Sequence, residues 1–296
     1  MSSNISLAVV VAVLASIAFA ASSVVQHRAV AGESSAKTGA KLGGRELLAV
    51  MKNPVWLGGL LLLGLSAVGQ VVALQLAPVT VVQPIGVLAV PWTILLAARV
   101  HRQQITRGMW GGAALAVIGT VAVAWVAITH ATPSPELQDQ RLVIGTLIGF
   151  AVAAAFAFFG VRGPLAWRCL AWALAASVVY GMESGLVKAI GAYLAAGPWL
   201  TSGIFWFLIA AIVIGVALAG VWIQQGYANG PAEIVVGGLN AGAPIAGVAF
   251  GVAILGEGKF LVQDPMAVLA MLAFAVVALS GVVMLSKHHP EGAENG

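Results

Sequence analysis

The stretch LQLAPVTVVQPIGVLAVP, residues 74–91, places three prolines in sequence that is otherwise apolar enough to cross a bilayer. Proline in a helix interior removes a backbone hydrogen bond and costs about 3 kcal/mol, so Pro78, Pro84 and Pro91 predict an interrupted helix. A carbonyl group freed in this way is costly in hydrocarbon unless it lines a cavity. The stretch therefore indicates a ligand site or, alternatively, kinks that serve helix packing alone.

A second stretch, ANGPAEIVVGGLNAGAP at residues 228–244, repeats the proline spacing of the first. A shift of 153 residues (231 minus 78) carries Pro78 onto Pro231 and Pro91 onto Pro244. Five predicted spans separate each copy from its counterpart, so the two copies have opposite orientations in the membrane. This pattern predicts an inverted-topology repeat, which is typical of secondary transporters that expose a midplane site to each side in turn.

Composition places the whole chain in a membrane. Of its 296 residues, 60% are hydrophobic and 8% are charged, and the mean hydropathy is +1.01. The single Cys169 excludes an intrachain disulfide and a thiolate metal cluster. No GxxxxGK[ST], HExxH or GxSxG motif occurs, so we expect neither an ATPase nor an enzyme, and no cofactor.

Apolar runs predict an all-α polytopic protein with about nine transmembrane helices, at residues 5–26, 54–75, 79–99, 109–129, 142–160, 169–187, 201–223, 232–254 and 266–286. The polar loop at residues 132–140 separates a first half, 1–141 with about four helices, from a second half, 142–296 with about five. The basic segment at residues 27–53 is predicted to be a mobile cytoplasmic connection.

Lys and Arg are distributed unequally between alternate loops. One side holds only Arg141, Lys188 and Lys259 of the fourteen basic residues. The other side holds the remaining eleven: Arg28, Lys37, Lys41, Arg45, Lys52, Arg99, Arg102, Arg107, Arg162, Arg168 and Lys287. The positive-inside rule places these eleven in the cytoplasm, with the N-terminus outside and the C-terminus inside.

Two carboxylates fall within predicted spans. A charge at mid-bilayer costs about 2.5 to 3.5 kcal/mol, so Glu183 and Glu233 are candidates to bind a cation or carry a proton. Each has a structural alternative, because Glu183 could pair with Lys188 at the interface and Glu233 could stabilise a helix N-terminus. If magnesium is carried, these two carboxylates are its expected ligands.

Amide side chains are the other candidates for the substrate or ion pathway. Amides can replace the hydration shell of a cation, and they can equally join helices. Gln83 and Asn240 are preferred because each lies on a proline-bearing helix well inside the membrane. The full amide set comprises Gln70, Gln75, Gln83 and Asn240, with Gln224 and Gln225 beside the seventh span. The predicted helix breaks are Pro78, Pro84, Pro91, Pro231 and Pro244.

Three motifs resemble a known family. APVTVVQPIGVLAV (77–90) resembles the AP-x-T/S-LV-x-P-LGALSV signature of NIPA-type magnesium transporters, GMESGLVKAIG (181–191) resembles their sixth helix, and LGEGKF (255–260) resembles the LGE ending of the penultimate helix in the drug/metabolite transporter superfamily. By this resemblance the chain is identified as a member of that superfamily, closest in pattern to NIPA-type transporters and EamA-like permeases. One departure is Ala98-Arg99-Val100-His101, where family members carry an acidic NER sequence.

The resemblance implies a multi-pass transporter of the cytoplasmic (inner) membrane that moves a small solute, such as a magnesium-like divalent cation, by alternating access. A proton-coupled exporter of metabolites or drugs, a flippase for a lipid-linked precursor and a non-transporting scaffold are the alternatives. The expected partners are membrane lipid and a small solute or cation, with a homodimer as one option and no nucleic acid.

Overall fold

The structure, a computed structural model, describes residues 5–33, 42–76, 85–101, 104–130, 137–197, 199–257 and 259–288. Within these ranges the chain is helical and contains no strand. The helices are α1 Ile5–Glu33, α2 Gly44–Lys52, α3 Pro54–Leu76, α4 Ala89–His101, α5 Arg107–Thr129, α6 Asp139–Arg162, α7 Leu165–Ala196, α8 Gly203–Asn229, α9 Ala232–Phe250, α10 Lys259–Gln263 and α11 Pro265–His288. A 3₁₀ turn spans Trp199–Thr201, and a π turn at Gly251–Leu255 continues α9.

Eight of the described helices are long and apolar enough to cross a bilayer, namely α1, α3, α5, α6, α7, α8, α9 with its π turn, and α11. The remaining predicted span, the third at residues 79–99, corresponds in its described part to α4, which has 13 residues. The prediction of an all-α polytopic membrane protein is therefore confirmed. Large apolar side chains such as Leu61 (76% exposed) and Trp125 (69% exposed) cover the outside of the bundle, as lipid contact requires.

The segment predicted to be a mobile connection differs from that expectation in two places. α1 continues to Glu33, and α2 forms at Gly44–Lys52. The carboxylate of Glu46 accepts a hydrogen bond from the Gly43 N–H at 2.8 Å, which caps α2, and Val50 is fully buried. Leu47 and Val50, three residues apart, both pack into the core, so the sequence does carry a helical pattern here, although it extends over nine residues only.

α7 occupies the centre of the bundle. In its membrane-crossing window 72% of the residues are buried, against 44% or less for each of the other seven. It packs against α6, α8 and α9, while α1 packs on α3 and α5 packs on α11. The α5–α11 contact depends on glycine, because a Cβ at Gly119 would lie 2.7 Å from the Ala278 Cα. Backbones that approach this closely are typical of helix packing in membranes.

Successive long helices run in opposite directions, so the bundle has two ends. At one end the Thr106 hydroxyl before α5 donates to the backbone oxygen of His288 at 3.2 Å, where α11 ends. This end also carries Arg107, Arg162 and Arg168, and we call it the basic end. At the opposite end the Tyr193 hydroxyl, near the end of α7, donates to Asp139 at the start of α6.

Candidate functional site

A cavity of about 520 Å³ lies between the helices, toward the end opposite the basic end. Its walls come from α3, the turn before α4, the end of α5, the middle of α7, α9 from Leu239 onward with its π turn, and the chain after that turn at Glu257 and Leu261. Both predicted halves of the chain therefore contribute to it. We call this side of the bundle the cavity end.

The cavity wall is apolar with a few oxygen-bearing side chains. The described polar residues on it are Gln70, His130, Tyr180, Ser184, Asn240 and Glu257. The Ser184 hydroxyl donates to the Gly181 carbonyl at 2.6 Å, and the Asn240 side-chain NH₂ donates to the Val236 carbonyl at 2.9 Å. Both bonds stay within one helix, and in the case of Asn240 the bond uses the donor and not the acceptor oxygen of the amide.

Two backbone carbonyl groups on the cavity wall lie near prolines. Pro244 lies inside α9 and lines the cavity, so the Asn240 carbonyl cannot receive the bond that a regular helix would supply from residue 244. On the other side, the Val87 carbonyl accepts from the Val90 N–H at 3.1 Å, in the tight turn that precedes Pro91. Asn240 and Val87 both line the cavity.

The other predicted helix breaks have different positions. Pro91 lies in the first turn of α4, where a missing N–H interrupts nothing. Pro231 precedes α9 and connects it to α8 at the basic end. Pro78 and Pro84 lie outside the described residues. Pro244 is the described proline that interrupts a helix beside the cavity.

Of the predicted pathway residues, the structure brings Gln70 and Asn240 together on the cavity wall. Gln75 lies in α3, near its end, but its side chain lies outside the described part of the chain, as does all of Gln83. Glu183 and Glu233 are not among the residues that line the cavity.

Glu183 lies on α7 beside the cavity residues but points to α8. Its side chain is buried, and a Cβ added at Gly215 of α8 would lie 2.5 Å from Oε1. Among the described residues Oε1 has no hydrogen-bonding partner. Helical geometry explains the direction, because Ser184 lies about 40° from Tyr180 around the axis, whereas Glu183 lies about 60° to the other side.

Glu233 lies in the first turn of α9 at the basic end and is 2% exposed. This position agrees with the alternative in which its carboxylate stabilises a helix N-terminus. Gly230, just before α9, packs on Cys169 of α7, since a Cβ there would lie 2.8 Å from the Sγ atom. Cys169 and Glu183 are separated by 14 residues (183 minus 169), or about 21 Å of helix. The two carboxylates therefore lie at different depths and do not share one site.

The basic end is closed by a chain of side-chain hydrogen bonds. The Trp56 indole donates to Gln224 at 2.9 Å, and the Gln224 NH₂ donates to the Gln26 oxygen at 3.0 Å. Gln26 then donates to the Ser22 hydroxyl at 2.9 Å, which donates to the Gly59 carbonyl at 2.8 Å. These bonds connect α3, α8 and α1, so Gln224 joins helices here.

Gln225 fastens a second part of the basic end. Its amide accepts from the Leu42 N–H and donates to the Leu42 carbonyl, both at 2.9 Å. Leu42 lies just before α2, so the end of α8 is held to the segment between α1 and α2. Gln224 and Gln225 therefore both hold parts of the protein together. This is the helix-joining alternative that the sequence left open for the amides.

Charged groups surround the cavity end. Lys188 pairs with Glu257, and His130 lies 3.6 Å from Asp264. Lys188 therefore pairs with Glu257 and not with Glu183. This differs from the structural alternative for Glu183, in which Lys188 was its partner. No group of three His, Cys, Asp or Glu residues that could hold a metal occurs within the described residues. An ion in the cavity would meet neutral oxygens, retained water and one carboxylate.

Sequence reasoning missed Tyr180, Ser184 and Glu257 as cavity residues. Tyr180 and Ser184 are four residues apart, which places them on one helical face, and this spacing was a usable signal. Glu257 directly follows Gly256, whose φ of +72° turns the chain at the end of α9. The LGEG motif contains both the glycine and the acid, but the sequence does not show that the turn at Gly256 brings Glu257 to the cavity.

Comparisons with known proteins bear on the chain as a whole. Residues 3–290 match the family model described as "Magnesium transporter NIPA". A "Probable magnesium transporter" of Candida albicans (strain SC5314 / ATCC MYA-2876) is 28% identical over 127 residues, which are 43% of this chain. The match spans 32%, about a third, of that relative's length. No solved structure matches the chain. Because the family model covers nearly its whole length, the chain belongs to the magnesium transporter NIPA family.

Proposed function

We propose that this protein transports Mg²⁺ across the cytoplasmic membrane by alternating access, with the fold of the drug/metabolite transporter superfamily. The observation that carries the proposal is the cavity, which receives residues from both halves and lies away from the hydrogen-bonded basic end. In this conformation the substrate would enter from the cavity end. Membership of a transporter family also favours the expectation that the chain is not an enzyme.

The size and chemistry of the cavity support a hydrated cation. Water occupies about 30 Å³ per molecule, so six waters around Mg²⁺ need about 180 Å³, well within about 520 Å³. Mg²⁺ gives up its water reluctantly and is commonly held by one or two carboxylates. The amide oxygens of Gln70 and Asn240 can bond to the retained water.

The arrangement of helices supports the inverted repeat that many alternating-access transporters share. α3 ends at Leu76 and α8 ends at Asn229, a difference of 153 (229 minus 76), which equals the proline shift. α1 packs on α3 and α4 as α7 packs on α8 and α9. α5 and α11, the counterparts of one another in this scheme, form an extensive contact. α6 has no counterpart, in keeping with four helices in one half and five in the other.

The basic end would face the cytoplasm. The described members of the basic set lie there, while Arg141 and Lys188 lie at the cavity end. By the positive-inside rule the cavity end would face outside, and this conformation would then be the outward-facing form of the proposed transporter. Glu183, buried between α7 and α8, remains a proposed pathway residue that would come into use when these helices move.

Flux measurements test the proposal. The full-length protein, reconstituted into liposomes with a magnesium-sensitive dye inside, should carry Mg²⁺ inward faster than protein-free liposomes, with a saturable dependence on concentration. Glu183→Gln should slow this flux if the carboxylate takes part. Absence of Mg²⁺ flux with folded protein would overturn the proposal, and proton-coupled movement of metabolites or drugs would favour the exporter alternative.

A further inference from the structure

The ion pair between Lys188 and Glu257 stands at the entrance of the cavity. Glu257 lines the cavity with 23% of its side chain exposed, and Lys188 is 58% exposed. Lys188 lies one helical turn beyond Ser184 on α7, so the pair joins the polar wall of the cavity to its rim. From the sequence, Lys188 was expected to be one of three basic residues on its side of the membrane and a partner for Glu183, and no role was predicted for Glu257.

The backbone holds Glu257 in this position. The π turn at Gly251–Leu255 ends at Gly256, whose φ of +72° reverses the chain, and the Glu257 N–H donates to the Gly251 carbonyl at 3.0 Å. The carboxylate lies back over the end of α9, because a Cβ at Gly251 would lie 3.2 Å from Glu257 Oε2. Gly251 itself lines the cavity. π turns are frequent at functional sites, and this one directs an acid toward the entry path.

Among the described residues that line the cavity, Glu257 is the single carboxylate. A cation that arrives at the rim therefore meets its strongest ligand already bound to an ammonium group. The pair is partly exposed, so water can separate it, and a divalent ion attracts a carboxylate about twice as strongly as a monovalent ammonium at equal distance. Lys188 thus competes with the arriving cation for the Glu257 carboxylate.

We propose that Glu257 is the entry ligand for the transported divalent cation and that Lys188 occupies this carboxylate until the cation displaces it. Lys188 then sets the concentration at which the cation enters, and monovalent cations, with half the charge, displace it poorly. The proposal rests on the proposed function for the identity of the ion, but displacement of Lys188 can be measured without transport.

A purely structural role predicts a different outcome. If the pair only fastens α7 to the segment after α9, Lys188→Gln should lower thermal stability and flux together. Competition predicts instead that Lys188→Gln lowers the half-saturating Mg²⁺ concentration about three- to fivefold, equivalent to about 0.6 to 1 kcal/mol. Glu257→Gln should raise that concentration, and the double variant should match Glu257→Gln, because the lysine acts only through the carboxylate.

Arg141→Gln is the matched control for flux. Arg141 is an exposed cation at the cavity end, in the first turns of α6, and does not line the cavity. Its removal changes the surface charge of this end by the same amount as Lys188→Gln. Equal effects of the two substitutions on half-saturation would overturn the proposal while leaving magnesium transport intact.

The decisive experiment follows the lysine itself. Purified full-length protein in lipid nanodiscs is treated with an amine-reactive ester, and labelling of Lys188 is quantified by mass spectrometry of its peptide. MgCl₂ should accelerate labelling severalfold over NaCl of equal ionic strength, and Glu257→Gln should label fast with or without Mg²⁺. Labelling that is independent of Mg²⁺ in the wild type would overturn the proposal, whether or not the liposomes carry Mg²⁺.

Discussion

The two ends of the bundle use the same side-chain chemistry in opposite ways. At the basic end, the Gln224 oxygen accepts a hydrogen bond from Trp56 and the Gln224 NH₂ donates one to Gln26, and both partners are on other helices. At the cavity end, Asn240 donates to Val236 of its own helix and faces open volume. An amide within the membrane thus joins helices when its partners lie across a contact, and becomes a candidate ligand when its bond stays within its own helix and its side chain faces a cavity.

The largest expected effect comes from breaking the closed end. Gln224→Ala leaves the Trp56 N–H and the Gln26 oxygen buried without this partner, and each such group costs about 1 to 3 kcal/mol. We expect a loss of about 2 to 6 kcal/mol in stability, seen as a lower unfolding temperature. Gln70→Ala, the same change on the cavity wall, should lower the unfolding temperature far less.

The same variant tests whether the basic end opens. Cys169 is the single cysteine and lies buried at this end, so its reaction with a maleimide reports opening without engineered probes. Labelling should be slow in the wild type and at least tenfold faster in Gln224→Ala. Fast labelling of the wild type would mean that the basic end is not closed in solution, and the contrast between the ends would fail.

The next effect concerns the cavity wall. Asn240→Ala should lower Mg²⁺ flux at subsaturating concentration about tenfold, the equivalent of about 1.4 kcal/mol, with little change in unfolding temperature. Asn229→Ala is the matched control, because Asn229 also donates to the carbonyl four residues earlier, at 2.8 Å, but lies at the basic end. Equal loss of flux in both variants would show that the bond, and not the cavity position, matters.

Pro244→Ala sharpens the comparison further. Alanine can supply the N–H that the Asn240 carbonyl lacks in α9, so the variant should unfold at a higher temperature. Mg²⁺ flux should fall severalfold, because a satisfied carbonyl is a poorer ligand. Pro265→Ala, at the first position of α11 where no bond is missing, should change neither quantity. Unchanged flux in Pro244→Ala would favour a proline that serves packing alone, as the scaffold alternative expects.

The smallest effect is expected at the exposed rim. Asp264 accepts hydrogen bonds from the Ala267 and Met266 N–H groups and lies near His130, and these contacts lower the pKa of its carboxyl group. A carboxyl group whose pKa is lower in the folded than in the unfolded protein stabilises the fold at pH values above its unfolded pKa of about 3.9. This stabilisation is lost as the pH falls through the pKa of the folded state. Asp264→Ala should lower the unfolding temperature slightly at pH 7, and the difference should fade below about pH 4. A difference that grows on acidification would contradict this assignment.

Sequence predicted the fold well because each apolar run of about twenty residues has one solution in a bilayer. Gln70 and Asn240, two of the amides predicted from sequence, line the cavity, and their part in the pathway stays a prediction. Sequence could not give the direction of Glu183, since a turn of 100° per residue around the helix decides between the cavity and α8. Nor could sequence show that Gln224 joins helices whereas Asn240 faces the cavity, because the partners of Gln224 lie 168 and 198 residues away in the chain.

The π turn at the end of α9 makes the entrance of the cavity sensitive to chain length. A π turn holds one residue more than an α-helical turn, and such a feature is equivalent to a single-residue insertion into a helix. Deleting any one residue within 251–255 would allow regular α-helix to continue and would rotate everything after it by about 100°. Glu257 would then turn away from the cavity although its own side chain had not changed. The position of this acid is therefore set by the number of residues before it as much as by their identity.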